Sequence, residues 1–135
     1  MKTLFVSCQD IDATQAQELI QALRNKGFAV EHSPRNPMDG EDERWGSWYD
    51  DLLPETVQRA NAFVIVVDRG WDSATWMAIE ADEATGRLRN QPALPMYYYN
   101  PQEINVKAAG MLPYLKELLP NDATEAADYL AQKVR

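Results

Sequence analysis

The residue in this chain whose type and position best suit chemistry is Glu80, within the stretch WDSATWMAIEADEA at 71–84. A carboxylate beside a cleft can stabilise a cation that develops at a sugar carbon, or attack that carbon as a nucleophile. Trp76 precedes it by one helical turn, where its ring would partly remove the carboxylate from water. This position is therefore compatible with chemistry at a sugar carbon, and the alternative is a border carboxylate paired with a neighbouring arginine. The spacing of the residues alone does not choose between the two.

Helical phase distinguishes Glu80 from the other acids of this segment. At about 100° per residue, four apolar side chains share one face of the predicted helix: Met77, Ala81, Ala84 and Leu88. Glu80 lies at the edge of this stripe, whereas Asp82 and Glu83 lie on the far side. Arg87 follows Glu83 by four residues and can pair with it. Asp82 and Glu83 are therefore predicted to be solvated, and Glu80 to be a boundary residue.

Other catalytic chemistries find less support in the sequence. The single cysteine, Cys8, and the single histidine, His32, exclude an internal disulfide and a metal site built from several such ligands. Cys8 at a strand end indicates a packed small residue rather than a reactive thiol. The glycine-rich phosphate-binding patterns G-x-G-x-x-G and G-x-x-x-x-G-K-[ST] do not occur in the sequence, which argues against a conventional dinucleotide site or P-loop. We expect no metal ion and no bound cofactor.

The elements that must position Glu80 alternate between strand and helix. A short apolar run predicts a strand at 3–8, and Asp12 with Gln15 predicts a helix start of the capping-box kind. Gly27 suits a left-handed helix end, and a second strand follows at 28–32. The rest of the chain predicts, in order, a polar loop at 33–46, helical pieces at 47–52 and 54–61, a central strand at 62–68, a helix at 73–89 and a strand at 95–99. Residues 114–119 favour an edge strand, with a helical turn as the alternative, and a last helix begins at Asp122 with Glu125 three residues on.

This alternation indicates one α/β domain over residues 1–135 with a mainly parallel sheet. In such sheets ligands bind beyond the carboxyl ends of the strands, where the strand order reverses. The segments at this edge are 7–10, 33–48 and 68–76. We therefore expect the substrate to be bound by five residues of these segments: Ser7, Trp45, Arg69, Ser73 and Trp76. Ser73 has a simpler alternative role as a helix N-cap, and packing on the sheet is the simpler role for aromatic residues.

Composition limits the possible partners. Thirteen basic and 21 acidic residues give a net charge of −8, which disfavours a nucleic-acid surface. No apolar run is long enough to span a bilayer, and no secretory leader is evident at the N-terminus, so we expect a cytoplasmic protein. The long polar loop at 33–48 and the negative charge also fit a domain that associates with itself or with a protein partner.

Three segments resemble the bacterial Toll/interleukin-1 receptor (TIR) domain: LFVSCQDID at 4–12, PMDGEDERWGSW at 37–48, and NAFVIVVDRGWDSATWMAIEADEA at 61–84. The last is similar to the family's strand, short loop and S-x-W-x-x-x-E helix. The spacing from Trp76 to Glu80 matches, while Ser73 lies one residue farther from the tryptophan and Cys8 replaces the usual aromatic. The resemblance covers about residues 2–100. It implies a flavodoxin-like sheet of five parallel strands in the order 2-1-3-4-5.

Enzymatic TIR domains cleave the nicotinamide–ribose bond of NAD⁺, and the resemblance implies that Glu80 is the catalytic residue. NAD⁺ carries two negative charges, so we expect an arginine at the cleft, with Arg35, Arg44 and Arg69 as candidates. Two alternatives stay open. Many TIR domains are adaptors that signal by self-association, and such a scaffold can also inhibit a partner. Nucleoside 2-deoxyribosyltransferases share a related fold and place a glutamate on a comparable helix.

Overall fold

Five parallel strands form one sheet in the order β2-β1-β3-β4-β5, as predicted. The strands are β1 (Thr3–Ser7), β2 (Ala29–Glu31), β3 (Ala62–Val66), β4 (Met96–Tyr99) and β5 (Glu117–Leu118). The structure, a computed structural model, describes residues 2–32, 53–71, 75–86, 93–107 and 110–134. The predicted loop at 33–46 and the helical piece at 47–52 lie outside these residues.

Four α-helices are described, α1 (Thr14–Asn25), α2 (Leu53–Arg59), α3 (Thr75–Gly86) and α4 (Ala123–Lys133), and a 3₁₀ turn, Leu112–Tyr114, precedes β5. The edge strand predicted within 114–119 is confirmed, although only two of its residues pair with β4. None of the described helices has the length and apolar character that crossing a membrane would need.

Two apolar layers cover the two faces of the sheet. Leu4 and Val64 face α1 and α4, while Phe5 and Phe63 face α2 and α3, and the two phenylalanine rings stack with centroids 5.2 Å apart. All five residues of β3 are buried, as expected for a central parallel strand covered on both sides. Side chains alternate along β4 as strand geometry requires, because Tyr97 and Tyr99 pack in the first layer and Tyr98 packs against the second.

The ends of the helices agree with the sequence at some positions and differ at one. Gly27 has φ +93° after α1, and Asp122 caps α4 by accepting a hydrogen bond from the backbone N–H of Glu125. The prediction that Asp12 caps α1 is wrong, because Ala13 is the N-cap and makes no side-chain cap. Asp10 forms a turn before the helix instead. Its side chain accepts a hydrogen bond from the backbone N–H of Asp12 at 2.9 Å, and its carbonyl oxygen accepts one from the backbone N–H of Ala13 at 3.1 Å. This turn moves the helix start one residue along the chain.

The sheet order places a crevice between β1 and β3. From β1 the chain passes to β2 on one side, and β3 lies on the other side, so the strand order reverses between them. Ser7 pairs with Ile65 at this point. Parallel α/β sheets bind ligands beyond the carboxyl ends of their strands at such a reversal. A ligand is therefore expected to bind at the segments that follow β1 and β3.

Candidate functional site

A buried hydrogen bond joins the end of β1 to α3. The Ser7 hydroxyl donates to Oε1 of Glu80 at 2.8 Å, and both residues are 0% exposed. Glu80 is therefore more deeply buried than predicted, since the sequence placed it at the edge of the apolar stripe. The helix packs on both β1 and β3, so its buried arc is wider than the stripe of Met77, Ala81 and Ala84 and includes the carboxylate. Asp82 is exposed on the far side, as predicted.

Trp76 ties the first turn of α3 to the same strand end. Its indole N–H donates to the carbonyl oxygen of Cys8 at 3.2 Å, and the ring is partly buried. Ser7 and Cys8 are consecutive residues, so α3 is attached to the end of β1 by two side-chain bonds one helical turn apart. These bonds fix the position of the Glu80 carboxylate relative to the sheet.

Cys8 belongs to the packing of this region. Its side chain is 2% exposed, and burial, followed by the negative charges of Glu80 and Asp68, raises the pKa of the Cys8 thiol to about 12. Only the thiolate is nucleophilic, so this sulfur is protonated at physiological pH and cannot serve as a catalytic nucleophile. The prediction of a packed rather than a reactive cysteine is confirmed.

We expect iodoacetamide at pH 8 to alkylate native Cys8 on the order of a thousand-fold more slowly than the unfolded chain, because the buried thiol is neutral and covered. Mass spectrometry over time measures the rate, and since the chain has one cysteine, a single adduct reports it. The control is the same protein in denaturant. Equal rates in the two states would contradict the burial of the sulfur.

The segment after β3 is held against the segment after β1. With its amide nitrogen turned towards them, Gln9 donates to Oδ1 of Asp68 at 3.3 Å and to the carbonyl of Arg69 at 2.9 Å. Gly70 has φ +84°, and a Cβ there would lie 3.2 Å from the Gln9 amide, so a side chain at this position would disturb both the backbone and the contact. Burial, and then Asp10, raises the pKa of the Asp68 carboxyl.

A cavity of about 610 Å³ opens between the segments that follow β3 and β4. The described residues that line it are Arg69, Gly70, Gln102 and Ile104. Asn100, which is 7% exposed, shapes the second wall: its amide donates to the carbonyl of Ile104 and its side-chain oxygen accepts from the N–H of Ile104, both at 2.9 Å. This pair of bonds closes the turn after β4 around one side chain.

Replacement of Asn100 by alanine removes both of these bonds and leaves the polar groups of Ile104 without their partner. We expect this change to lower the free energy of unfolding by about 1–3 kcal/mol, measured by urea denaturation. Asn105→Ala is the matched control, because Asn105 is exposed and its side chain only accepts from the N–H of Lys107. Equal losses in the two variants would show that the Asn100 bonds do not hold the turn.

Of the residues predicted to bind substrate, Ser7 and Trp76 lie with Glu80 at the end of β1, and Arg69 lies in the neighbouring cavity. Trp45 and Ser73 lie outside the described residues, as do Arg35, Arg44 and Arg87, the predicted partner of Glu83. Sequence reasoning did not select Gln9 or Asn100. Gln9 lies within the predicted segment 7–10 and Asn100 directly follows β4, and a position beyond a strand's carboxyl end is the available signal. Among the described ranges, no group of three or more carboxylate, cysteine or histidine residues is arranged to hold a metal ion.

The arrangement combines a carboxylate removed from bulk water, a hydroxyl that orients it, and an indole one turn away. A carboxylate in such surroundings interacts more strongly with a nearby positive charge than one in water does. It can therefore stabilise a cationic centre that reaches it or form a bond to that centre. No protein-family model and no curated protein matches the chain.

Proposed function

We propose that the protein hydrolyses the N-glycosidic bond between nicotinamide and ribose in NAD⁺, with Glu80 as the catalytic carboxylate. The observation that carries this proposal is the 2.8 Å bond from the Ser7 hydroxyl to Oε1 of a fully buried Glu80 at the reversal of strand order. A glutamate is almost never fully buried unless its carboxyl group is paired. Its place is the one where parallel α/β sheets bind their ligands.

In this reaction the bond between C1′ of the ribose and the pyridinium nitrogen breaks, and its electron pair leaves with neutral nicotinamide. The ribosyl carbon becomes cationic, and Glu80 stabilises this centre or bonds to it transiently. A water molecule then adds to C1′ and loses a proton, which gives ADP-ribose. Ser7 is a positioning residue, because its hydroxyl holds the carboxylate and has no reacting atom of its own.

The sequence resemblance to TIR domains supports this choice of substrate. The spacing from Trp76 to Glu80 matches the family's helix, and the observed order β2-β1-β3-β4-β5 is the one that the resemblance implied. The indole of Trp76, bonded to the carbonyl of Cys8, is held next to the strand end from which Ser7 contacts Glu80. A planar pyridinium ring is a suitable partner for an indole at such a position.

Incubation of the purified protein with NAD⁺ tests the proposal directly. Chromatography should detect nicotinamide and ADP-ribose in equal amounts, and neither should form in a parallel sample of the Glu80→Gln variant. A second arm replaces NAD⁺ by deoxynucleosides with an acceptor base. Base exchange in that arm, with NAD⁺ left intact, would contradict the proposal and identify a nucleoside deoxyribosyltransferase instead.

A non-catalytic interaction domain is the second candidate, and the burial of Glu80 favours it. A carboxylate that is 0% exposed and bonded to Ser7 also serves to attach α3 to β1 without touching any substrate. In that case Glu80 stabilises a scaffold, and surface residues such as Leu112 and Leu118, which are 42% and 51% exposed, contact a partner. Light scattering over a range of concentrations, on wild type and on a Leu118→Lys variant, reports self-association through this surface.

A further inference from the structure

The cavity between the ends of β3 and β4 has the size of a small-molecule site. Its volume of about 610 Å³ lies within the range of about 300–1,000 Å³ that ligand pockets occupy. It lies on the opposite side of β3 from the Ser7–Glu80 bond, because β1 and β4 flank that strand.

Arg69 gives this cavity a positive group. Its side chain is exposed, and within the described residues the guanidinium makes neither a hydrogen bond nor an ion pair. By contrast, Arg59 on α2 pairs with Glu55 at 3.4 Å. A guanidinium without a carboxylate partner keeps its fork of donors available, and this fork fits a phosphate group with two parallel bonds.

The walls beside Arg69 are held in place before any ligand arrives. On one side Gln9 binds the carbonyl of Arg69, and the left-handed Gly70 continues the turn. On the other side the two bonds from Asn100 to Ile104 close the turn after β4. When the residues around a site are already ordered, ligand binding costs less free energy for ordering side chains and loops. Gln102 adds an amide and Ile104 an apolar surface to the lining.

We infer that this cavity binds the diphosphate of a nucleotide substrate, with the Arg69 guanidinium on the phosphate oxygens. The inference rests on the proposed function for the identity of the group that reaches Glu80. The chain carries a net charge of −8, so a dianionic ligand is repelled over most of the surface and needs a local cation to remain bound. The diphosphate would then hold the ligand on one side of β3 while its ribosyl end reaches Glu80 on the other.

Calorimetric titration of the intact protein with ADP-ribose, nicotinamide riboside and inorganic phosphate tests this inference. ADP-ribose carries the diphosphate, nicotinamide riboside carries none, and phosphate reports a site for free anions. We expect Arg69→Gln to bind ADP-ribose at least about tenfold more weakly than wild type and nicotinamide riboside equally well. Arg59→Gln is the control of equal charge change, and it should bind all three ligands as wild type does.

Three outcomes would overturn the inference: wild type does not bind ADP-ribose, Arg69→Gln binds it with unchanged affinity, or the variant loses nicotinamide riboside to the same degree. Binding of inorganic phosphate without ADP-ribose would also overturn it, since the cavity would then take only a free anion. A different result would contradict the proposed hydrolysis. Binding of ADP-ribose that depends on Arg69, without nicotinamide release by wild type, would remove the reaction and leave the phosphate site.

Discussion

Glu80→Gln should lower the rate of nicotinamide release from NAD⁺ on the order of a thousand-fold, while the protein remains folded. Glutamine has nearly the same shape as glutamate, and its side-chain oxygen still accepts the hydrogen bond that the Ser7 hydroxyl donates. The variant lacks the negative charge that stabilises the ribosyl cation and the oxygen that can attack it. The change therefore removes the chemistry and keeps the packing.

A matched control separates this effect from a general change of charge. Glu83→Gln removes one negative charge from the same helix, but Glu83 lies on the face predicted to be solvated and is only half-buried. Initial rates of nicotinamide formation at saturating NAD⁺, together with urea midpoints, should show full activity for Glu83→Gln and unchanged stability for both variants. If Glu80→Gln turned over NAD⁺ at the wild-type rate, the carboxylate would have no catalytic role.

Ser7→Ala provides an intermediate measurement. The hydroxyl orients the Glu80 carboxylate and touches no reacting atom, so its loss should affect kcat through the position of Glu80 rather than through substrate affinity. A drop in kcat with unchanged KM fits such a positioning role. A lower urea midpoint with no change in kcat would instead favour the non-catalytic scaffold, in which Ser7 and Glu80 only join β1 to α3.

Much of the fold follows from local patterns. The unbroken apolar run of β3 and the capping pair of Asp122 and Glu125 each specify one conformation, and the structure has them as predicted. The α1 start was misplaced because Asp10 and Asp12 are both able to form a turn, and only the structure decides between them. Local sequence cannot distinguish these two acids, which lie four and two residues before the first residue of the helix.

The candidate site was predictable in part. Helical phase and the rule for parallel sheets made Glu80, Ser7 and Trp76 candidates, and the TIR resemblance implied the catalytic role of Glu80. Helical phase placed Glu80 at a border that the structure buries. The depth of a side chain depends on how the helix crosses the strands beneath it, which is a tertiary property. The closure of the turn after β4 by Asn100 also depends on a backbone conformation that residue types alone do not specify.

Trp71→Ala should lower the free energy of unfolding by about 3–5 kcal/mol, a large part of the roughly 5–15 kcal/mol that stabilises a domain of ordinary size. Trp71 is 2% exposed and packs in the layer that contains Phe63 and Met77. Its backbone N–H donates to the carbonyl of Asp68 at 3.1 Å, so the same residue fills the core and closes the turn that carries Arg69. Alanine leaves a cavity beneath that turn.

Urea denaturation, monitored by circular dichroism, measures this loss of stability. Trp71→Phe is the control, because it keeps an aromatic ring in the layer. We expect the phenylalanine variant to lose clearly less than the alanine variant, because it leaves a smaller void. A loss below about 1 kcal/mol for alanine would contradict the tight burial of this side chain. In Trp71→Phe the turn at 68–71 keeps its backbone bond, so binding of ADP-ribose should persist there, which separates the stability of the layer from the phosphate contact of Arg69.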